Sequence, residues 1–396
     1  MFQDTIKRRQ LICSYVVFIM NGMLALSIGT MLPFVRDERN LSYALCGTLV
    51  SLHSIGNLIS SFFAGALAVK IGRKVSILLF NACFAAAYAI ILFGSSPVWL
   101  IIAFTMTGLA RGATSNFCNA AVNSLAPGKA GLINGLHAMF SIGAFAFPIF
   151  LILLTKNNPS NWIYACVFML IIGVLSWILY FMIPVEKQDI STKDKEKGEG
   201  KKQFGFFKAP IFYLTILTLF FYLCAEQGVI GWLVTYFKDT GLLDASLAQL
   251  MASVQWVMIL AGRLTTAWLS TRMKKEKLLP VMGIGLVLFF LLLINSRSMI
   301  FIIIGIIGFG FSMAGIYPTT VSFSGKLIQD FPLAWSFILT LASLGSILMP
   351  SAIGRIAEKA GIAAGMSSVA AVVVIDLVCI LCLSGYIAKT GKEQRV

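Results

Sequence analysis

The sequence predicts an all-α membrane protein of twelve spanning helices arranged as two pseudo-symmetric six-helix bundles, and three observations carry that expectation. First, 58% of the 396 residues are hydrophobic and only 12% are charged, with a mean hydropathy of +0.89. A water-soluble domain averages roughly 45–50% apolar and about 25% charged residues, so a chain this apolar needs lipid around it. Second, the apolar residues fall into twelve stretches, each of the 17–25 residues or so that a helix needs to cross a bilayer. Third, the positive charges lie overwhelmingly on one side of that pattern.

The stretches run near 10–35, 44–69, 75–95, 98–125, 130–154 and 161–184, then near 210–237, 245–271, 278–295, 298–325, 332–357 and 362–388. Lys7, Arg8 and Arg9 precede the first stretch, which is too long for a signal-peptide core and carries no small-residue cleavage site, so it reads as the first span. Residues 1–185 form the first bundle, 186–208 a cytoplasmic linker and 209–396 the second bundle. The linker holds seven lysines, from Lys187 to Lys208, and is the one truly hydrophilic segment. With the N-terminus inside, Lys70, Arg73, Lys74, Lys129, the linker lysines, Arg272, Lys274, Lys275, Lys277, Lys326, Lys389, Lys392 and Arg395 are also inside. Only Arg36, Arg39, Lys156, Lys238, Arg297, Arg355 and Lys359 fall outside. This asymmetry puts both termini in the cytoplasm, and the expected location is the plasma membrane, as a multi-pass protein. The net charge of +15 then belongs against anionic lipid headgroups and excludes a nucleic-acid partner.

An internal repeat relates the halves at an offset near two hundred residues. Gly143 and Pro148 match Gly345 and Pro350, Gly108 and Gly112 match Gly308 and Ser312, and Gly65 before Arg73-Lys74 matches Gly262 before the basic run Arg272 to Lys275. Six spans per half give both halves the same orientation, the parallel repeat of transporters whose solute binds near the midplane between halves.

Glu226 is the most informative single residue. Helical rise places it ~25 Å from Pro210 and ~18 Å from Lys238. A carboxylate at that depth costs about 2.5–3.5 kcal/mol or more, so it reads as functional, with a structural hydrogen bond to a neighbouring helix as the alternative. Polar stripes accompany it. Ser115, Asn119 and Asn123 recur at helical spacing in span four, with Arg111 a turn earlier and Asn116 alongside. Asn134, His137 and Ser141 do the same in span five, and Ser54, Asn57 and Ser61 in span two. Amides and hydroxyls both donate and accept, which suits a polyhydroxylated, largely uncharged solute. A single Ser or Asn serves equally well as glue between helices; the collection on spans one, four and five points to a cavity. Asn21, Gln227 and Gln255 extend the polar set, and Trp232 and Tyr317 could stack on sugar rings or simply pack. Arg111 reads either as a structural pair or as a solute-linked cation, Asp376 as an interhelical partner, and His53, beside Gly56, as a packing residue. Two histidines on separate spans with no shared acid argue against a metal site, and no cofactor is implied. The eight cysteines all lie in apolar segments and act as small hydrophobes.

The segment Gly65-Ala-Leu-Ala-Val-Lys-Ile-Gly72-Arg73-Lys74 resembles the signature loop between spans two and three of the major facilitator superfamily. The usual acid of that loop, part of a cytoplasmic latch in the family, is Val69 here. Within the superfamily, Ala225-Glu226 through Trp232 to Tyr236, Asn134 through His137 and Phe140 to Ala144, Gly108 to Pro127 and Ile316 to Thr320 are similar to patterns of the fucose/glucose/galactose permease group. That resemblance implies cation-coupled uptake of a sugar by alternating access, in a monomer. It also implies a span-one Asp and a span-four Glu, but Asn21 and Ser115 stand at the matched positions and neither titrates. Glu226 is therefore the expected proton-coupling residue. A drug or metabolite antiporter is the alternative, against which span five lacks the GPxxGG pattern. A membrane enzyme would need a convergent Ser/His/Asp or HExxH set, and a receptor a soluble signalling domain; the sequence shows neither.

Overall fold

The computed structural model describes residues 5–94, 96–125, 130–182 and 204–393, and all regular structure among them is helical. Six long helices come first: α1 (Thr5–Arg39), α2 (Tyr43–Ile71), α3 (Arg73–Phe93), α4 (Pro97–Leu125), α5 (Ala130–Thr155) and α6 (Trp162–Met182). There follow α7 (Pro210–Asp239), α8 (Ala245–Leu269), α9 (Lys275–Asn295), α10 (Met299–Met313), α11 (Ile316–Phe323), α12 (Gly325–Asp330), α13 (Pro332–Ala360) and α14 (Ile362–Glu393). Twelve stretches are long and apolar enough to cross a membrane, with α10 and α11 together making one. Large apolar side chains such as Phe63, Leu288 and Ile300 remain on the outer surface, as they do where lipid is the solvent.

The breaks between helices have local causes. Ser42 caps α2 by accepting from the Leu45 amide at 3.1 Å, and Asp244 caps α8 through the Ser246 and Leu247 amides at 2.8 and 2.9 Å. Prolines open α4, α7 and α13, where their missing N–H costs nothing. Gly72 turns the chain between α2 and α3 at φ +88°, a conformation that a side chain resists. The tenth span departs from the expected continuous helix over 298–325: it ends at Met313 and restarts at Ile316. Pro318 cannot donate to the carbonyl four residues earlier, so the ladder is interrupted there.

The chain divides into two compact units. The first comprises Met1–Thr192 with Leu243–Ser253. In it α1 lies against α4 and α5, α2 against α4, and α3 against α4 and α6. Its core gathers Val17, Phe18, Ala113, Phe117 and Leu136. The opening of α8 belongs to this unit: Gln249 Nε2 donates to Thr30 O at 2.7 Å and Ser253 Oγ to Phe145 O at 3.0 Å. The second unit comprises Lys193–Leu242 with Val254–Val396. There α7 lies against α13 and α14, and α9 against α10 and α14. Phe206, in a short 3-10 turn before α7, is fully buried with Phe212, Leu219 and Ile338.

Glycines set the closest crossings. A methyl on Gly143 of α5 would collide with the Ile19 carbonyl of α1, and one on Gly345 of α13 with the Phe220 carbonyl of α7. These two glycines, paired by the sequence repeat, make the same backbone-to-backbone approach in their own units. The other pairings shift. Gly108 meets the His53 carbonyl of α2, and the residue that meets the matching carbonyl of α8, that of Gln255, is Gly310 rather than Gly308. Gly262 packs on Phe311 and Ala314, whereas Gly65 has open space around it, so those two are not structural counterparts.

Candidate functional site

In the first unit, the two positions noted for lacking acids come together. Asn21 Nδ2 on α1 donates to Ser115 Oγ on α4 at 2.9 Å. Asn21 is buried, and its Oδ1 has no hydrogen-bond partner among the described residues. Asn119, a turn beyond Ser115, donates back to the Ser115 carbonyl at 2.8 Å. The His137 ring on α5 stands edge-on to Phe18 of α1, centroids 5.7 Å apart, and both Asn134 and His137 are exposed. Asn116 does not join this group: it is exposed and donates to the Ser61 carbonyl of α2 at 3.0 Å, a helix-to-helix tie.

A second polar cluster, on α2 and α4, was less legible in the sequence. The Arg111 guanidinium approaches His53 Nε2 at 3.3 Å, while His53 Nδ1 lies 2.8 Å from Thr107 Oγ1. Thr107 gives its own proton to the Phe104 carbonyl at 2.6 Å, so it accepts from His53. The imidazole is then the neutral Nδ1–H tautomer, and its Nε2 lone pair accepts from Arg111. His53 is therefore a polar partner of Arg111, not a packing residue. The signal was present as the turn-spaced polar residues of α2 and α4, but one sequence does not say which helices adjoin.

In the second unit Glu226 is half-buried. Tyr222 Oη, one turn earlier, donates to its Oε1 at 2.9 Å, and Gln227 Nε2 lies 3.4 Å from Oε2. The Tyr317 ring of α11 lies 6.1 Å from that of Tyr222, and its hydroxyl is within electrostatic reach of Glu226. Arg263 of α8 acts on Tyr222 in the same way. Glu226, Gln227, Tyr222, Tyr317 and Arg263 thus form one cluster.

Three expected site residues lie elsewhere. Trp232 is fully buried, and its indole N–H is spent on the Pro350 carbonyl of α13 at 3.0 Å, so it packs helices instead of facing a solute. Gln255 is buried at the crossing of α8 and α10, with Nε2 3.8 Å from Met313 Sδ. Asp376, expected to pair across helices, is fully buried with neither carboxyl oxygen hydrogen-bonded among the described residues. At the signature loop, Lys74 Nζ donates to the Phe181 carbonyl at the end of α6, 2.7 Å away, and its ammonium also lies over the Phe181 ring. Gly72 supplies the positive φ described above, and Arg73 opens α3. Among the described residues, no three His, Cys, Asp or Glu side chains converge as a metal site would require.

A family model described as the Major Facilitator Superfamily matches residues 11–350. The chain belongs to that superfamily. Among curated relatives, a protein described as a TsgA homolog from Yersinia pseudotuberculosis is 23% identical over 388 residues, covering 97% of this chain and 96% of the relative. A TsgA homolog from Yersinia enterocolitica is 22% identical over 359 residues, 90% of each chain. Among solved structures, a variant of the nucleoside transporter NupG superposes with a TM-score of 0.77 at 14% identity, covering 97% of this chain and 99% of that one. A D-xylose-proton symporter does so at 0.74, also 14% identical, covering 96% of both. At such identity the likeness is one of fold. As a multi-pass superfamily member, the chain is a membrane transporter of small molecules.

Proposed function

We propose that this protein takes up a small polyhydroxylated solute, a sugar or a sugar-bearing molecule, coupled to protons by alternating access of its two six-helix halves. The observation that carries the reading is Glu226: a carboxyl in the middle of a span, hydrogen-bonded by Tyr222 and Gln227 and flanked by Tyr317. Both of its hydrogen bonds come from neutral groups, the Tyr222 hydroxyl and the Gln227 amide, and an ionisable residue at that depth of a span reads as functional by default. Asn21, Ser115, Asn119, Asn134 and His137 supply hydroxyl-matching groups in the other half, and the Asn21 Oδ1 is an acceptor with no protein donor among the described residues. The permease-like patterns around Glu226 and His137 support a sugar. In this reading both termini and the linker lie in the cytoplasm; cysteine labelling from outside intact cells should leave all three unmodified.

The test is thermal stabilisation of the purified protein against a panel of hexoses, pentoses, nucleosides and organic acids. The panel includes the solute classes named for two solved members of the fold. A true ligand at one hundred times its Kd stabilises by about 2.7 kcal/mol. A response to organic acids alone would overturn the sugar assignment.

A further inference from the structure

Asp376 sits deep in α14, fourteen residues beyond Ile362, and is the one fully buried aspartate among the described residues. Three helices pack on α14: α7, α9 and α13. Neither carboxyl oxygen meets a hydrogen-bond donor among the described residues. The titratable groups within electrostatic reach are Cys224 on α7 and Cys379 one turn along α14. Neither is a cation. No charged group of α9 or α13 acts on Asp376 among the described residues.

A carboxylate needs donors or a counter-charge once it leaves water, and this site offers neither. The neutral acid carries a far smaller burden, because only a hydroxyl and a carbonyl lose their hydration. Glu226 is in a different position. It lies about 200° around α7 from Cys224 by helical periodicity, and it has two hydrogen-bond donors of its own. Cys224 also touches the close crossing of α7 with α13, because a methyl at Gly345 would come within 3.0 Å of its sulfur. Asp376 therefore faces a junction where three helices of the unit meet.

We propose that Asp376 is a proton-binding site separate from Glu226, and that α14 seats on α7 only while this carboxyl holds its proton. The site takes a proton and nothing larger, since the carboxyl is wholly buried. Ionisation would put a full negative charge beside Cys224 and drive the helices apart or draw water between them.

The experiment uses the full-length protein in lipid nanodiscs. Infrared spectra are taken of the wild type, of Asp376→Asn and of Glu226→Gln, with and without carboxyl-13C aspartate. The proposal requires a protonated-carboxyl C=O band at neutral pH that shifts with the aspartate label, persists in Glu226→Gln and is lost in Asp376→Asn. The labelled wild type alone decides the protonation state should the Asn variant fail to fold. Absence of a label-sensitive band overturns the proposal, as does a band that survives Asp376→Asn. Melting temperature is the second readout. The wild type should lose several degrees as pH rises above neutral, and Asp376→Asn should lose that dependence. An unchanged pH slope in the variant overturns the seating of α14 by the proton.

Discussion

Arg111 of α4 and His53 of α2 form a cation–imidazole contact at 3.3 Å in which the histidine is the acceptor. The direction follows from Thr107, whose hydroxyl proton is already committed to the Phe104 carbonyl. A histidine that donated from both nitrogens would present a second cation to Arg111. Replacing His53 with Leu should cost about 1–3 kcal/mol, the penalty for stranding a buried polar partner. His53→Gln, whose side-chain oxygen can still accept near Nε2, should cost less. Melting curves of the two variants decide this, and nitrogen-15 spectra of the wild type should show the Nδ1–H tautomer at neutral pH.

Glu226→Gln mimics the protonated acid and retains a carbonyl able to accept from Tyr222. Accumulation driven by an imposed pH gradient should fall to background in vesicles, whereas exchange of solute without a gradient should continue. Full gradient-driven accumulation in the variant would make Glu226 structural. A wild type indifferent to pH gradients would argue against proton coupling itself.

Trp232 and Tyr317 looked alike in the sequence, yet only one belongs to the Glu226 cluster. Trp232→Phe removes the bond to the Pro350 carbonyl and should lower stability by about 1 kcal/mol, leaving solute affinity unaltered. Asn21→Ala and Tyr317→Phe should instead weaken solute binding roughly three- to tenfold, the worth of one hydrogen bond. Titration by thermal shift separates the two behaviours. Loss of affinity in Trp232→Phe would restore the tryptophan to the solute site.

Gly143 and Gly65 provide a matched contrast. Gly143→Ala forces a methyl against the Ile19 carbonyl, a backbone atom that cannot step aside, and should destabilise by about 1–3 kcal/mol or more. Gly65→Ala meets nothing within 4 Å and should be neutral or gain up to about 1 kcal/mol from helix propensity. If Gly65→Ala melts normally but transports slowly, the glycine of the signature loop serves a conformation other than this one.

The twelve spans were legible because lipid imposes one strong rule: long apolar runs with polar breaks between them. The interruption near Pro318 was overlooked because it lies inside a stretch, Met299–Phe323, that is apolar enough on average to read as one span, and hydropathy cannot register a missing hydrogen bond. Polarity and depth picked out Asn21, Ser115, Glu226 and Tyr317 as candidates, whereas the Asn21–Ser115 bond and the approach of Tyr317 to Tyr222 are seen only in the structure. Trp232, Gln255 and Asn116 were misplaced because polarity shows that a side chain needs a partner but not which helix provides it. Tyr222 and Arg263 escaped as members of the Glu226 cluster for the same reason: their roles depend on contacts that are not written in the sequence pattern.

The repeat also runs in a finer register than its glycines suggested. His53 and Gln255 are separated by the same 202 residues as Arg111 and Met313, and each pair meets at the same crossing in its own unit, the first through Arg111 and the second through a thioether. Ser115 and Tyr317 share that interval too. One frame has thus been written twice and then electrified on one copy only. A duplicated scaffold of this kind can diverge by exchanging a neutral strut for a charged one at a fixed joint. Transplanting the Gln–Met pair into the first half, or the His–Arg pair into the second, would ask the molecule which of its two copies needs the charge.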